Sequence, residues 1–156
     1  MKSKQQGFSL IELLIVVAII LIIAAIAIPN LMKSRMAANE SSAVGSIRTL
    51  NTAEVTYATA CPDTGFSGSI AELYTGAICA GGTGIIDNVL SSGTKSGYTF
   101  NYATVATGAI NTTYTVDTEP LTVGVTGQRG FYSDQTGVIR YTLDGSAPTV
   151  ASSALQ

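Results

Sequence analysis

Residues 7–29 read GFSLIELLIVVAIILIIAAIAIP, and this stretch decides how the chain is organised. Sixteen apolar residues follow one another without interruption from Leu13 to Ile28, and the segment from Phe8 to Ile28 has twenty-one residues. About 20 predominantly apolar residues in an α-helix span the hydrocarbon core of a bilayer. The sequence therefore predicts a helix near the N-terminus that can cross a membrane.

A cleaved secretory signal peptide is one alternative for this segment. Lys2 and Lys4 form a basic region before it, and Ala25–Ala27 offers an A-x-A cleavage site. The apolar run is longer than the roughly 7 to 15 residues of a typical secretory signal, and a carboxylate at its N-terminal edge is not a feature of such signals. The sequence therefore favours a retained helix.

A plain single-span anchor is a second alternative. Lys2 and Lys4 flank one side of the apolar segment and Lys33 and Arg35 flank the other, so the charges are nearly balanced. The terminal amine adds a positive charge on the first side. The orientation with the N-terminus in the cytoplasm is therefore favoured.

Glu12 is the charge that a simple anchor does not explain. A carboxylate at the centre of the bilayer costs roughly 2.5 to 3.5 kcal/mol, and less near the interface. No Lys or Arg lies on the same helix face within two turns of Glu12. Its partner is therefore expected to be a neighbouring molecule or a newly made charge.

The hexapeptide GFSLIE at residues 7–12, with a short basic leader before it and a long apolar run after it, resembles the class III signal of type IV pilins and pseudopilins. The resemblance implies that a prepilin peptidase cuts after Gly7 and methylates the new amino group of Phe8. It also implies that Glu12 pairs with the N-terminal amine of an adjacent subunit in a filament. The seven-residue leader is like that of type IVa pilins.

The chemistry of the residues agrees with that implication. Cleavage after Gly7 removes Lys2 and Lys4 and leaves an ammonium on Phe8, which a bundle of packed helices could place beside Glu12. An unpaired buried charge is costly, so the pair would act as a check on the register of assembly more than as a source of net stability.

The helix is expected to continue beyond Pro29, from about Phe8 to Ala60. Pro29 falls where the pilin family has a helix-perturbing proline, and a kink or local melting of the helix is favoured there over a simple stop. From there apolar residues recur at three- and four-residue steps, with Glu40, Arg48 and Glu54 among the polar residues between them. Gly45 within this stretch is expected to be a close-packing point or a soft point.

The C-terminal part alternates with a period of two, which predicts strands. Three strand faces are expected, and Asp134–Gly137 supplies turn residues for a hairpin before the last of them. The residues on these faces are Tyr98, Phe100 and Tyr102; Thr112, Tyr114 and Val116; and Ile139, Tyr141 and Leu143. The predicted fold class is α+β, with a long N-terminal helix packed against a three- to four-stranded antiparallel sheet, as in type IV pilins.

The chain is accordingly expected to have five parts. They are a leader peptide (1–7), a transmembrane or filament-core half of the helix (8–28), an amphipathic half (29–60), a connecting loop with short helices at 69–74 and 85–90 (61–97), and the sheet with a C-terminal tail (98–156). In the loop, Cys79 is expected to form a disulfide with Cys61, as two cysteines in an exported protein suggest. Two free thiols are the alternative.

Composition excludes several functions. The chain contains no His, which removes Ser-His and Cys-His nucleophile pairs and His-bearing zinc sites. Charged residues make up 12% of the chain and the net charge is −2, so nucleic acid is not expected as an obligate partner. No catalysis and no cofactor are expected.

Four polar positions have a second interpretation. Asp134 and Asp144 could be calcium ligands, as in some pseudopilins, but turn and surface roles are favoured. Asn39 and Asn111 each begin an N-x-[ST] sequence, a short pattern that is frequently fortuitous.

The resemblance implies a structural subunit of a type IV pilus-like filament. The precursor would be a single-pass inner-membrane protein with a cytoplasmic N-terminus, and the mature chain would polymerise with copies of itself into an extracellular filament. Its expected partners are prepilin peptidase and the pilus or type II secretion assembly machinery. A type II secretion pseudopilin is the first alternative, and a membrane-anchored periplasmic binding module is the second.

Overall fold

The computed structural model describes residues 8–75 and 84–155. Three helices come first: α1 (Leu10–Ala60), α2 (Ile70–Thr75) and α3 (Asn88–Ser91). Six strands follow: β1 (Thr94–Lys95), β2 (Tyr98–Thr107), β3 (Ile110–Pro120), β4 (Gly130–Asp134), β5 (Arg140–Thr142) and β6 (Ser153–Ala154). The predicted α+β class is confirmed.

The chain forms two compact units, with the boundary between Arg35 and Met36. In the first unit the described residues of α1 expose nearly all of their side chains. The second unit contains the rest of α1, the two short helices and the sheet, and we refer to it as the head.

Within the described residues the sheet has six strands, in the order of the sequence, and every neighbouring pair is antiparallel. The expectation of three or four strands was therefore too low. The two additional strands, β1 and β6, have two residues each, too few to show alternation. A turn in which Ser96 (φ 52°) and Gly97 (φ 76°) both have positive φ connects β1 to β2, as in a type I′ hairpin.

The core of the head lies between one face of α1 and one face of the sheet. Apolar side chains of this α1 face recur at three- and four-residue steps, which places them on a single helix stripe. The most buried members on α1 are Ala43, Ile47, Leu50, Ala53 and Tyr57, and those on the sheet are Tyr98, Phe100, Tyr114, Val116 and Phe131.

Two of the expected strand faces are only partly correct. Leu143 was expected in the core but is 69% exposed, because β5 ends at Thr142. The chain then turns at Asp144, whose Oδ1 accepts a hydrogen bond from the amide of Ser146 at 3.1 Å. Thr112 is also exposed. The hairpin turn at Asp134–Gly137 is confirmed, with the Gly137 amide donating to the Asp134 carbonyl at 2.9 Å.

Gly45 is not a close-packing point within the molecule, since a Cβ atom built there would meet nothing within 4 Å. We expect Gly45→Ala to raise the free energy of unfolding of the head by about 0.8 to 1 kcal/mol, because glycine has the higher conformational entropy in the unfolded chain. Chemical denaturation of the full chain in detergent, followed by tyrosine fluorescence, measures this.

Gly127→Ala is the matched control for that experiment. A Cβ at Gly127 would come within 2.6 Å of the ring carbon Cζ of Tyr98 and would overlap its hydroxyl, so the same substitution should destabilise the head there. If Gly45→Ala also destabilises the isolated chain, its backbone has a role that the fold does not explain.

Candidate assembly and processing site

The first half of α1 is an apolar surface that the molecule itself does not cover. None of its described residues is buried, and the helix is long and apolar enough to cross a membrane by length and composition. Phe8 is 84% exposed and Leu10 is 80% exposed. Because apolar surface of this extent is unfavourable in water, lipid or other protein molecules must cover it.

The N-terminus of α1 is closed by a capping interaction that involves Glu12. The backbone amide of Ser9 donates to Oε2 of Glu12 at 2.9 Å, and the Leu13 amide donates to the Ser9 carbonyl at 3.2 Å. Glu12 therefore occupies the N3 position and makes its half of a capping box, in which its carboxylate satisfies an amide that the helix leaves unpaired. The negative charge also lies at the favourable end of the helix dipole.

The sequence predicted for Glu12 only a partner from a neighbouring molecule or a new charge. Its capping role within the helix was missed. The signal was present, because Ser9 and Glu12 have the S-x-x-E spacing of a capping box. Only Oε2 of Glu12 takes part in this hydrogen bond. The intermolecular pair between Glu12 and the amine of Phe8 stays a prediction.

The predicted cleavage site is only partly within the described residues. Gly7 lies outside them, and Phe8 lies just before the first residue of α1, Leu10. Phe8, which follows the predicted scissile bond, is thus exposed and outside the helix.

Pro29 does not end the helix. It lies in the interior of α1, which continues to Ala60, so the interpretation as a stop is wrong. The ring nitrogen cannot donate to the carbonyl of residue 25, and the side-chain amide of Asn30 donates to the next carbonyl, that of Ile26, at 3.1 Å. The predicted kink at Pro29 stays a prediction.

In the head, Glu40 attaches α1 to the loop before β4. Its Oε2 accepts a charged hydrogen bond from Nε of Arg129 at 2.8 Å, and its Oε1 accepts from the amides of Gln128 at 2.9 Å and Arg129 at 3.2 Å. The guanidinium of Arg129 also lies over the rings of Phe131 and Tyr141, 5.6 and 5.8 Å from their centroids. Glu40, one of the polar residues between the apolar positions of α1, is only 8% exposed.

Glu54 makes a second attachment, to the connecting loop and to β2. Its Oε1 accepts from the hydroxyls of Ser67 and Tyr102, both at 2.6 Å, and its Oε2 accepts from the Ser67 amide at 3.0 Å. Glu54, another of these polar residues, is fully buried. Burial raises the pKa of the Glu54 carboxyl, and the nearby charge of Glu72 adds to this effect, while the three hydrogen bonds oppose it.

The two aspartates considered for calcium both organise turns. Oδ1 of Asp134 accepts from the amide of Thr136 at 2.9 Å, and Oδ1 of Asp144 accepts from the hydroxyl of Ser146 at 2.6 Å as well as from its amide. The part of the chain that the structure describes contains no group of three acidic, His or Cys side chains that could hold a metal ion. The geometry therefore supports the turn roles.

Both asparagines of the N-x-[ST] patterns use their side-chain amides within the fold. The Asn39 amide donates to the carbonyl of Thr126, and the Asn111 amide donates to the carbonyl of Phe66, each at 2.8 Å. Both side chains are partly buried, so a glycan at either position would break a contact that holds a loop.

Cys61 is buried at the C-terminal end of α1, at 4% exposure. Its predicted partner, Cys79, lies outside the described residues. The disulfide therefore stays a prediction.

Comparison with known proteins identifies relatives over part of the chain. Residues 2–28 match the family model of the prokaryotic N-terminal methylation motif. The chain is 48% identical over 54 residues to the type IV major pilin protein PilA of Myxococcus xanthus, covering 35% of this chain and 24% of that protein. It is 61% identical over 36 residues to the type IV wide pilus major component PilA4 of Thermus thermophilus, covering 23% of this chain and 28% of that protein.

A secretion protein is also among the relatives. The chain is 40% identical over 51 residues to the type II secretion system core protein G of Escherichia coli, covering 33% of this chain and 35% of that protein. No solved structure matches the chain. The matches thus span between 24% and 35% of the length of these three relatives.

Proposed function

We propose that this chain, which carries the N-terminal methylation motif and is similar to type IV pilins over part of its length, is the structural subunit of a type IV pilus-like filament. One observation carries the proposal: the segment that bears the methylation motif is also a helix whose apolar side chains the molecule leaves exposed. Lipid covers this surface before assembly, and the helices of other subunits cover it in the filament.

Processing converts the membrane precursor into a subunit that can polymerise. The precursor is a single-pass inner-membrane protein with its N-terminus in the cytoplasm, where prepilin peptidase cuts after Gly7 and methylates Phe8. Cleavage removes Lys2 and Lys4, so the apolar helix can leave the membrane without carrying basic side chains at its N-terminal end. The envelope assembly machinery then moves the subunit into the filament.

The head faces the solvent in the filament and has a structural role, without catalysis. Its roles are adhesion, twitching motility or DNA uptake. Support for a structural role comes from the matched relatives, which are named as pilus components and a secretion-system core protein.

The similarity to the type II secretion core protein G favours a pseudopilin as the second candidate function. The two functions differ in abundance and location: a major pilin dominates filaments sheared from the cell surface, and a pseudopilin remains in the envelope. A membrane-anchored periplasmic binding module is a third and weaker candidate, since the apolar helix would then only tether the head.

Mass spectrometry of the protein from cells tests the proposal. We expect the intact mass and the N-terminal fragments to show a chain that begins at a methylated Phe8, with Cys61 and Cys79 oxidised. The Gly7→Ala variant is the matched control and should retain the leader. A mature chain that begins before Phe8, or after Ala27 as a secretory signal would produce, contradicts the proposal.

A further inference from the structure

Two basic side chains follow the apolar segment of α1. Lys33 and Arg35 come five and seven residues after Ile28. With a rise of 1.5 Å per residue, their Cα atoms lie about 7.5 and 10.5 Å beyond the last residue of the apolar segment along the helix. The polar headgroup region of a bilayer is about 5 to 8 Å thick on each side, and the flexible stems of Lys and Arg can extend back toward it.

Neither of these cations has an acidic partner in the described part of the chain. Its two ion pairs join Lys95 to Asp87 and Arg129 to Glu40. Lys33 and Arg35 are both exposed. The next acidic residue along the helix is Glu40, whose two carboxylate oxygens are already bonded to Arg129 and its neighbour.

The positions of the two cations around the helix favour a surrounding partner over a single docked surface. Residues two apart on an α-helix point about 200° apart, so Lys33 and Arg35 lie on opposite sides of α1. A single flat protein surface cannot contact both sides, whereas the headgroups of a lipid leaflet surround the helix. Leu31 and Met32, which are 62% and 45% exposed, place apolar groups at the same level.

We propose that Lys33 and Arg35 bind anionic phospholipid headgroups on the head side of the membrane in the unassembled subunit. This inference rests on the proposed membrane-anchored precursor. After cleavage removes Lys2 and Lys4, these two side chains are the basic residues that adjoin the apolar segment. Their contacts with headgroups hold the mature subunit at a defined depth, and these contacts must break when the subunit enters a filament.

The test measures which lipids accompany the purified protein. The full chain is purified in neutral detergent with equal amounts of phosphatidylglycerol and phosphatidylcholine at low salt, and the bound lipids are quantified by mass spectrometry. We expect each cation to raise the ratio of bound phosphatidylglycerol to bound phosphatidylcholine by up to about fivefold. The K33Q/R35Q variant should bring the ratio close to that of the mixture, and raising the salt concentration should do the same for the unmodified chain.

Two controls separate this inference from its alternatives. The variants R48Q and K95Q, in the head, should keep the enrichment. Every variant is made in the K2Q/K4Q precursor, so lipid binding is measured without cleavage. A failure of processing and a failure of lipid binding therefore give different results. Unchanged enrichment in K33Q/R35Q overturns the proposal, and if that variant also assembles poorly, the cations contact neighbouring subunits instead.

Discussion

Replacing Glu12 with glutamine should lower the yield of assembled filament by about tenfold or more, while membrane insertion and cleavage after Gly7 remain largely intact. A buried ammonium left without its carboxylate costs about 3 to 5 kcal/mol, which exceeds the 1.4 kcal/mol that corresponds to a tenfold change. The measurement is the amount of filament sheared from cells, compared with the mature chain that remains in the membrane.

The capping box makes this substitution informative. The side-chain carbonyl of glutamine can still accept the hydrogen bond from the Ser9 amide, so Glu12→Gln removes the charge and keeps the cap. Glu12→Ala removes both. If the pair with the Phe8 amine controls assembly, the two variants should fail to a similar extent.

Asp63→Asn is the matched control, because it removes an exposed carboxylate from the head and should assemble normally. Normal filament yield from Glu12→Gln together with low yield from Glu12→Ala would assign the role of Glu12 to helix capping. This result would contradict the ion-pair hypothesis.

The second large effect is expected in the head. Glu54→Ala should lower the free energy of unfolding by about 1 to 3 kcal/mol, since it leaves the buried amide of Ser67 without its acceptor. The hydroxyls of Ser67 and Tyr102 also lose a hydrogen bond of 2.6 Å, but each has a second acceptor, the Ser69 carbonyl at 3.1 Å and the Ser67 carbonyl at 2.9 Å respectively. Denaturation of the full chain in detergent, followed by tyrosine fluorescence, measures the loss.

Glu54→Gln separates hydrogen bonding from charge in the same site. It keeps a carbonyl acceptor and removes a fully buried ionisable group, so it should cost clearly less than Glu54→Ala. A loss as large as that of alanine would show that the negative charge itself holds the loop.

The pH dependence of the Glu54 variants follows from the raised pKa of this carboxyl. The folded state binds the Glu54 proton more tightly than the unfolded state, so this group adds stability as the pH falls through its folded pKa toward the unfolded value of about 4.5. The free energy of unfolding of the unmodified chain, relative to that of Glu54→Gln, should therefore rise as the pH falls through that window. A relative stability that falls there would contradict the raised pKa.

Residues close together in the sequence allowed the first half of the molecule to be predicted. The signal at residues 7–12, the length of the apolar run and the helix to Ala60 all depend on the spacing of neighbours along one helix. For the same reason the capping box of Ser9 and Glu12 could have been found, because its partners are three residues apart. The hairpin turn at 134–137 is also local.

The sequence by itself thus determined the long helix, its apolar first half, the motif at its start and the α+β class. Only the tertiary structure decided which polar residues are buried. Glu40 bonds to Arg129, 89 residues away, and Glu54 bonds to Tyr102, 48 residues away. Helix periodicity puts both glutamates on the same stripe as Ile47, seven residues from each, but it cannot show which distant loop or strand supplies the donors that allow a charged side chain to be buried there. Their burial depends on long-range hydrogen bonds that exist only when the head has folded.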